Sequence, residues 1–344
     1  MINNAAHRRR TSRRVKAVGG AAAAALVAGG GFLLAGNATA GEESTAAAGG
    51  TPFAPYVDTS LQPSYDLVKS AEKTGTKEFN LAFVTAADGS CTPKWGGTQN
   101  LGDNATAKQI KQLRAKGGDV RVSFGGANGS ELGLSCGSAG ELEKAYGKVV
   151  DTFDLKKADF DIEGGALPDT AANTKRAKAI AALQKSHKGL DVSFTLPVMP
   201  EGLTPDGVKL LDSAKKEGVK TSTVNLMAMD YGPSYDGDMG TYATQAATAA
   251  QKQIKKSFGL DDKAAWKTVG LTPMIGVNDV KGEVFTTADA AQVRKFAADK
   301  GVGSLSMWSA TRDKACPGGS KDQADPTCSG VEQSADAFAK ALAG

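Results

Sequence analysis

The chain has 344 residues, of which 41 are lysine or arginine and 37 are aspartate or glutamate, and its formal net charge is +4. Six of the basic residues and none of the acidic residues lie within residues 1–40, so taking six positive charges from +4 leaves −2 for the rest. Beyond residue 40 there is no cluster of basic residues interleaved with aromatic ones, which argues against a nucleic-acid partner.

The first forty residues have the pattern of a bacterial secretory signal. A basic region precedes an apolar run rich in alanine and glycine, which ends at Ala38-Thr39-Ala40, a cleavage sequence of small residues. A membrane anchor is the alternative interpretation, but the small residues favour cleavage. Ser12-Arg13-Arg14 resembles part of a twin-arginine signal, so the export route stays open. We expect a secreted, extracellular protein without membrane contact after cleavage, and a short polar linker at residues 41–50.

Four cysteines lie beyond the predicted leader, and in an exported protein they favour disulfides. Cys316 and Cys328 flank a short polar loop and are expected to pair with each other, which leaves Cys91 to pair with Cys136. Three pairings are possible in principle. Beyond the leader there is a single histidine, His187, and no CxxC spacing, so we expect no metal and no cofactor. The scarcity of histidine also argues against a Ser/His/Asp or Cys/His nucleophile.

Residues 51–344 repeat one pattern, in which a β-branched or aromatic run is followed by a stretch rich in alanine, lysine, leucine and glutamate. Eight strands that alternate with helices predict parallel pairing with right-handed crossovers. At this length they indicate one α/β domain, a (β/α)8 TIM barrel, which we expect to be a monomer. A doubly wound sheet is the competing fold, but no glycine-rich nucleotide fingerprint follows the first run. The predicted strands begin at Phe53, Phe79, Val120, Ala158, Val192, Val224, Val269 and Ser304.

The fourth predicted strand, ADFDIEGG, carries three acids, Asp159, Asp161 and Glu163. Residues two apart point to the same side of a strand, so the three carboxyls share one face and Phe160 and Ile162 share the other. On a surface strand the acids would lie in water. Inside a barrel, burial and mutual repulsion would raise the pKa of at least one carboxyl and create a general acid. Polar and aromatic residues at the other strand ends favour this second interpretation, because barrel enzymes carry their chemistry there.

Three more strand-end sequences accompany these acids. Ser123-Phe124-Gly125-Gly126 has the pattern S-x-G-G, Met227-Ala228-Met229-Asp230 is similar to M-x-Y-D, and Trp308 lies in the eighth run. Together with the acids, which match most of D-x-x-D-x-D-x-E, they resemble family 18 of the glycoside hydrolases, the bacterial chitinase family. The resemblance extends from Phe53 to the C-terminus.

This resemblance implies a secreted chitinase that hydrolyses β-1,4 linkages in chitin or in N-acetylglucosamine oligosaccharides. It implies a substrate-assisted, retaining mechanism, in which the N-acetyl carbonyl of the sugar attacks the anomeric carbon. Glu163 would then be the general acid. Asp161 would orient the acetamido group and stabilise the positively charged intermediate, while Asp159 would share a proton with Asp161.

The same resemblance implies the residues that bind substrate. Asp230 and Tyr231 would hydrogen-bond the sugar at the subsite where the bond breaks, beside Met227. Trp308 would form the floor of that subsite. Trp95 is either an outer sugar platform or an anchor for the loop that contains Cys91.

Two departures from the family pattern stand out. Lys156 and Lys157 replace the first acid and the glycine that often follows it, at the end of the strand far from the catalytic end, so we expect a structural effect at most. Met229 stands where many members have a tyrosine. We expect Tyr231 to take over that role with Asp230, provided that the strand stays regular at its end.

Two alternatives remain at this stage. An endo-β-N-acetylglucosaminidase of the same family would use the same three acids. A chitin-binding lectin would have kept the barrel without catalysis, but such members usually lack the catalytic glutamate, and Glu163 is present.

Overall fold

The computed structural model describes residues 50–102 and 104–344, so the predicted export signal and nearly all of the predicted linker lie outside the described residues. In the described part, eight parallel strands pair in chain order, and a helix follows each of them. The first and last strands meet through a parallel bridge between Phe53 and Leu305, which closes the sheet. The predicted (β/α)8 barrel is confirmed. Its strands are β1 (Tyr56–Asp58), β2 (Glu78–Ala86), β3 (Asp119–Gly125), β4 (Lys157–Asp161), β5 (Asp191–Met199), β6 (Thr221–Ala228), β7 (Val269–Pro273) and β8 (Ser304–Leu305).

The main helices surround the barrel, and polar residues fix where most of them begin. In the first seven, a side chain just before the helix accepts a hydrogen bond from a backbone N–H of the first turn. The eight main helices are α1 (Leu67–Thr74), α2 (Ala105–Ala115), α3 (Ala139–Phe153), α4 (Thr170–Ser186), α5 (Pro205–Lys216), α6 (Met239–Phe258), α7 (Thr287–Lys300) and α8 (Ala337–Ala343). Their caps are Asp66, Asn104, Ser138, Asp169, Thr204, Asp238 and Thr286.

Phenylalanines and polar residues alternate along β3, β4 and β5. Phe124, Phe160 and Phe194 are register partners across the three strands. They form the apolar layer beneath the helices, where the rings of Phe124 and Phe160 lie 4.8 and 4.9 Å from the ring of Tyr146 on α3. The preceding residues point into the barrel, and they are Ser123, Asp159 and Ser193.

Short segments extend the strand ends at the mouth of the barrel. Pro93–Trp95 pairs antiparallel with the end of β2, and Gly276–Val277 forms a hairpin with Val284–Phe285. Both predicted disulfides are present, Cys91–Cys136 and Cys316–Cys328. Trp95 is buried and packs against Phe153 at 5.7 Å, so it anchors the disulfide loop and is not a sugar platform.

The two lysines that depart from the family pattern lie at the opposite end of the barrel. Lys157 begins β4 and pairs with Glu78 on β2 at 2.6 Å, and Lys156 pairs with Asp154 at 2.7 Å. Both are remote from the C-terminal ends of the strands, and the expectation of a structural effect at most stays a prediction. Across residues 50–102 and 104–344, the helices are too short or too polar to cross a membrane.

Candidate active site

A cleft of about 330 Å³ opens at the C-terminal ends of the barrel strands. It contains five of the seven residues that the sequence assigns to catalysis or sugar binding. Asp159 lies below it, and Tyr231 lies beside it. The five are Asp161, Glu163, Met227, Asp230 and Trp308.

Asp159 is fully buried beneath the cleft and is surrounded by hydroxyl groups. One of its carboxylate oxygens accepts hydrogen bonds from Ser123 at 2.6 Å and from Tyr56 at 3.0 Å. The other accepts from Ser193 at 2.5 Å, and Thr195 lies 2.9 Å from both. Because every carboxylate oxygen is hydrogen-bonded, Asp159 is held in one orientation under Asp161.

Asp161 stands one strand repeat nearer the mouth and is only 4% exposed. Burial raises the pKa of Asp161 well above its ordinary value, and the neighbouring charges of Glu163 and Asp159 raise it further. The interaction with the Glu163 carboxyl is a further cause of the raised pKa of Asp161. One carboxyl oxygen of Asp161 is buried without a partner among the described residues. Burial and the neighbouring carboxyls therefore favour the protonated form of Asp161.

Glu163 lies at the mouth, just after β4 ends. Burial raises the pKa of Glu163, the hydrogen bond from Asp161 lowers it, and the negative charge of Asp230 raises it again, with a net upward shift. Gly164 adopts φ +52°, which turns the chain out of the barrel immediately after the glutamate. Glu163 is thus a carboxyl with a raised pKa that faces the cleft, as a general acid requires.

The end of β3 and the loop that follows it (residues 126–130, the β3 loop) approach β4 closely. Gly125 adopts φ +102°, and a Cβ atom there would lie 2.0 Å from the carbonyl oxygen of Asp161. The backbone N–H of Gly126 donates to that same oxygen at 3.1 Å. Only glycine permits this approach, which explains the paired glycines of the S-x-G-G sequence.

Met227, Met229 and Asp230 form the opposite wall of the cleft. Asp230 accepts a hydrogen bond from the backbone N–H of Val280 at 3.0 Å, and burial raises the pKa of its carboxyl. The structure corrects the expected position of Tyr231. β6 ends at Ala228 and Asp230 adopts φ +52°, so the strand alternation stops before Tyr231.

Tyr231 is buried away from the cleft. Its ring lies 5.8 Å from Tyr235 and 6.0 Å from Tyr242, and its backbone N–H donates to Glu283 at 3.1 Å. Tyr231 therefore supports the turn that carries Asp230. Met229, which replaces the tyrosine of the family pattern, lines the cleft itself.

Trp308 lines the cleft, and its role as a sugar platform stays a prediction. Its ring stacks on Phe83 at 5.6 Å with an interplanar angle of 24° and lies 6.1 Å from the ring of Tyr56. These contacts fix the orientation of the indole, while its remaining face lines the cleft.

Sequence reasoning missed the hydroxyl and amide groups that support the carboxyls. Asn225 donates to Tyr56 and Thr195, each at 3.1 Å, and thereby joins β1, β5 and β6 below the cleft. Strand alternation could have indicated them, because these polar residues interrupt apolar strands at positions that face into the barrel. Cleft residues outside the motifs include Asp58, Phe83 and Asp279. In the described part of the chain, no group of histidine, cysteine, aspartate or glutamate side chains is arranged to hold a metal ion.

Comparisons with known proteins agree with this geometry. No protein-family model matches the chain. The chain is 39% identical over 281 residues to a probable bifunctional chitinase/lysozyme of Escherichia coli (strain K12), covering 78% of this chain and 31% of that protein. It is 38% identical over 274 residues to endochitinase 11 of Metarhizium anisopliae, covering 76% of this chain and 52% of that protein. The chain thus spans about half or less of these curated relatives.

A solved structure covers the barrel almost completely. Active domain 2 of a thermostable chitinase from Pyrococcus furiosus, complexed with chito-oligosaccharides, is 36% identical with a TM-score of 0.78. The match covers 85% of this chain and 93% of that one. The fold and the buried row of carboxyls define a glycoside hydrolase barrel. The chain belongs to glycoside hydrolase family 18, with these chitinases.

We expect Asp161→Asn to raise the free energy of unfolding at neutral pH. Folded wild-type protein keeps a proton on Asp161 that the unfolded chain releases above about pH 4, so wild-type stability falls as the pH rises toward the raised pKa. Asparagine is neutral at every pH and can still donate to Glu163. Urea unfolding of both proteins should show a larger advantage for the variant at pH 7 than at pH 4. The exposed Asp212→Asn is the control, and a constant advantage for Asp161→Asn would contradict the raised pKa.

Proposed function

We propose that this protein is a chitinase that hydrolyses β-1,4 linkages between N-acetylglucosamine units by a substrate-assisted, retaining mechanism. The observation that carries the proposal is the row of Asp159, Asp161 and Glu163, which leads from the barrel interior to the cleft. The names of the similar proteins support the same substrate class.

In the first step, Glu163 protonates the glycosidic oxygen as the bond to the anomeric carbon breaks. The N-acetyl carbonyl of the same sugar supplies the electrons that form the new bond, so no carboxylate nucleophile is needed. Water then attacks the anomeric carbon from the face that the leaving group left and breaks the bond to the N-acetyl oxygen. Glu163 takes a proton from this water, and the product has retained configuration.

Asp161 is placed to assist both steps. Burial raises the pKa of Asp161 and so favours its protonated form in the free protein, and the same carboxyl can orient the acetamido group when substrate is bound. Asp159, held by its hydroxyl partners, places a negative charge directly beneath. That charge stabilises the positive charge that develops on the cyclic intermediate.

The walls of the cleft complete the sugar site. Trp308 offers an aromatic face to the apolar C–H face of the pyranose, and Met227 and Met229 supply apolar contacts on the wall of the cleft. Asp230 supplies the polar contact on the same side. With Tyr231 outside the cleft, Asp230 carries the hydrogen bonding of this wall without a tyrosine.

We expect Glu163→Gln to lower kcat on a short N-acetylglucosamine oligomer by about a hundredfold or more, because it removes the general acid. A proton NMR time course should show early β-anomer product from the wild type alone, with oligomer still bound to the variant. Glu217→Gln, just after α5, is the matched control and should behave as the wild type. Substantial turnover by Glu163→Gln would refute its assignment, and binding without product in the wild type would favour a lectin.

We expect Asp230→Asn to move the alkaline limb of the kcat/KM profile to lower pH. The charge of Asp230 raises the pKa of Glu163, and activity requires protonated Glu163, so removing the charge causes the acid form to be lost at lower pH. The exposed Asp236→Asn, in the same loop, is the control for the position of the limb. An alkaline limb at the wild-type pH, or above it, would show that Glu163 does not set this limb.

We further propose that the protein is exported and cleaved after Ala40. The small residues at positions 38–40 and the two disulfides support this proposal, since disulfides persist in oxidising compartments. Intact mass spectrometry of protein from the medium of a bacterial host should give a chain that begins at Gly41. Ala38→Leu should block this cleavage, and wild-type protein that keeps the leader would contradict export by this signal.

A further inference from the structure

A buried ion pair lies behind the cleft, outside the residues that contact substrate in the proposed mechanism. Glu131 and Arg176 are 5% and 1% exposed, and their side chains meet at 2.6 Å. Burial alone would raise the pKa of Glu131, but the guanidinium of Arg176 lowers it below its ordinary value, so the pair is charged. Buried ion pairs add little net stability compared with apolar packing, which makes a positional role the more informative interpretation.

The pair connects two loops that shape the cleft. Glu131 directly follows the β3 loop, whose residues 127–129 line the cleft. Its second oxygen accepts from Tyr146 at 3.1 Å, which fixes the carboxylate to α3. Arg176 also donates to Asn173 at 2.5 Å, and Asn173 donates to the carbonyl of Leu167 at 2.8 Å.

Leu167 ends the turn that begins at Glu163. Within this turn the N–H of Ala166 donates to the carbonyl of Glu163 at 3.1 Å. A continuous series of bonds therefore runs from the β3 loop through Glu131, Arg176 and Asn173 to the turn that carries the general acid.

We propose that Glu131, Arg176 and Asn173 are positioning residues, which lock the β3 loop to the turn after β4 and so hold Glu163 at the cleft. This inference rests on the proposed function of Glu163. Small displacements of a reacting group can cost about a hundredfold in rate, so loss of this bridge should lower kcat more than it affects binding.

Two variants separate positioning from folding. The triple variant Glu131→Met/Tyr146→Phe/Arg176→Met replaces the ion pair and the hydroxyl group bonded to it with apolar side chains of similar size and leaves Asn173 bonded to Leu167, so it should fold. Asn173→Ala leaves the ion pair intact and removes only the bonds between Arg176, Asn173 and Leu167. Glu78→Met/Lys157→Met removes an ion pair at the other end of the barrel and is the control.

Well below their unfolding midpoints, the triple variant and Asn173→Ala should lose about tenfold in kcat with KM within about threefold of the wild type, and the control should lose neither. Amide hydrogen exchange over residues 163–167 should accelerate in both variants and not in the control. Folded variants with wild-type kcat, or with wild-type exchange at this turn, would overturn the proposal. Wild-type protein that cleaves no oligomer would refute the proposed function instead, and the exchange comparison would still decide whether the bridge holds the turn.

Discussion

The site depends on the burial of three carboxyls that one strand places inside a closed barrel. Asp159, Asp161 and Glu163 are two residues apart, so their side chains follow one another toward the mouth. Asp159 is surrounded by hydroxyl donors and Glu163 reaches the cleft, but Asp161 is buried with one oxygen that has no partner in the described part of the chain. Since a charge on Asp161 would be poorly solvated, burial raises the pKa of its carboxyl and favours its protonated form.

This constraint also sets the register of the barrel. Ser123 and Ser193 can donate to Asp159 only because they are its register partners on β3 and β5. A shift of one residue would bring phenylalanines against the carboxylate and turn the hydroxyls toward the helices. The stacked Phe124 and Phe160 resist the same shift from the apolar side. Packing of the core and satisfaction of the buried charge therefore select one alignment.

Periodicity was enough to predict the barrel, because each of its eight strands lies in a β-branched or aromatic run that precedes a helical stretch. It was also enough to place the acids on one face, since strand alternation is local. The partners of Asp159 could not be predicted in the same way: Tyr56 and Thr195 are separated from it by more than 30 residues and meet it only after the sheet closes. The assignment of Tyr231 was wrong for a local reason. It assumed regular strand alternation, which the positive φ at Asp230 ends.

The charge of the cleft means that a bound ligand can change the pKa values of its carboxyls. Five carboxylic acids line the cleft, and none of the described lining residues is lysine, arginine or histidine. Burial is already the largest cause of the raised pKa of both Asp161 and Glu163. An uncharged sugar brings no positive charge and displaces water, so it adds to the burial and shifts these pKa values further upward. Occupancy of the cleft by a neutral oligosaccharide therefore favours the protonated form of Glu163 that the proposed mechanism requires, whereas a cationic ligand would favour its ionised form.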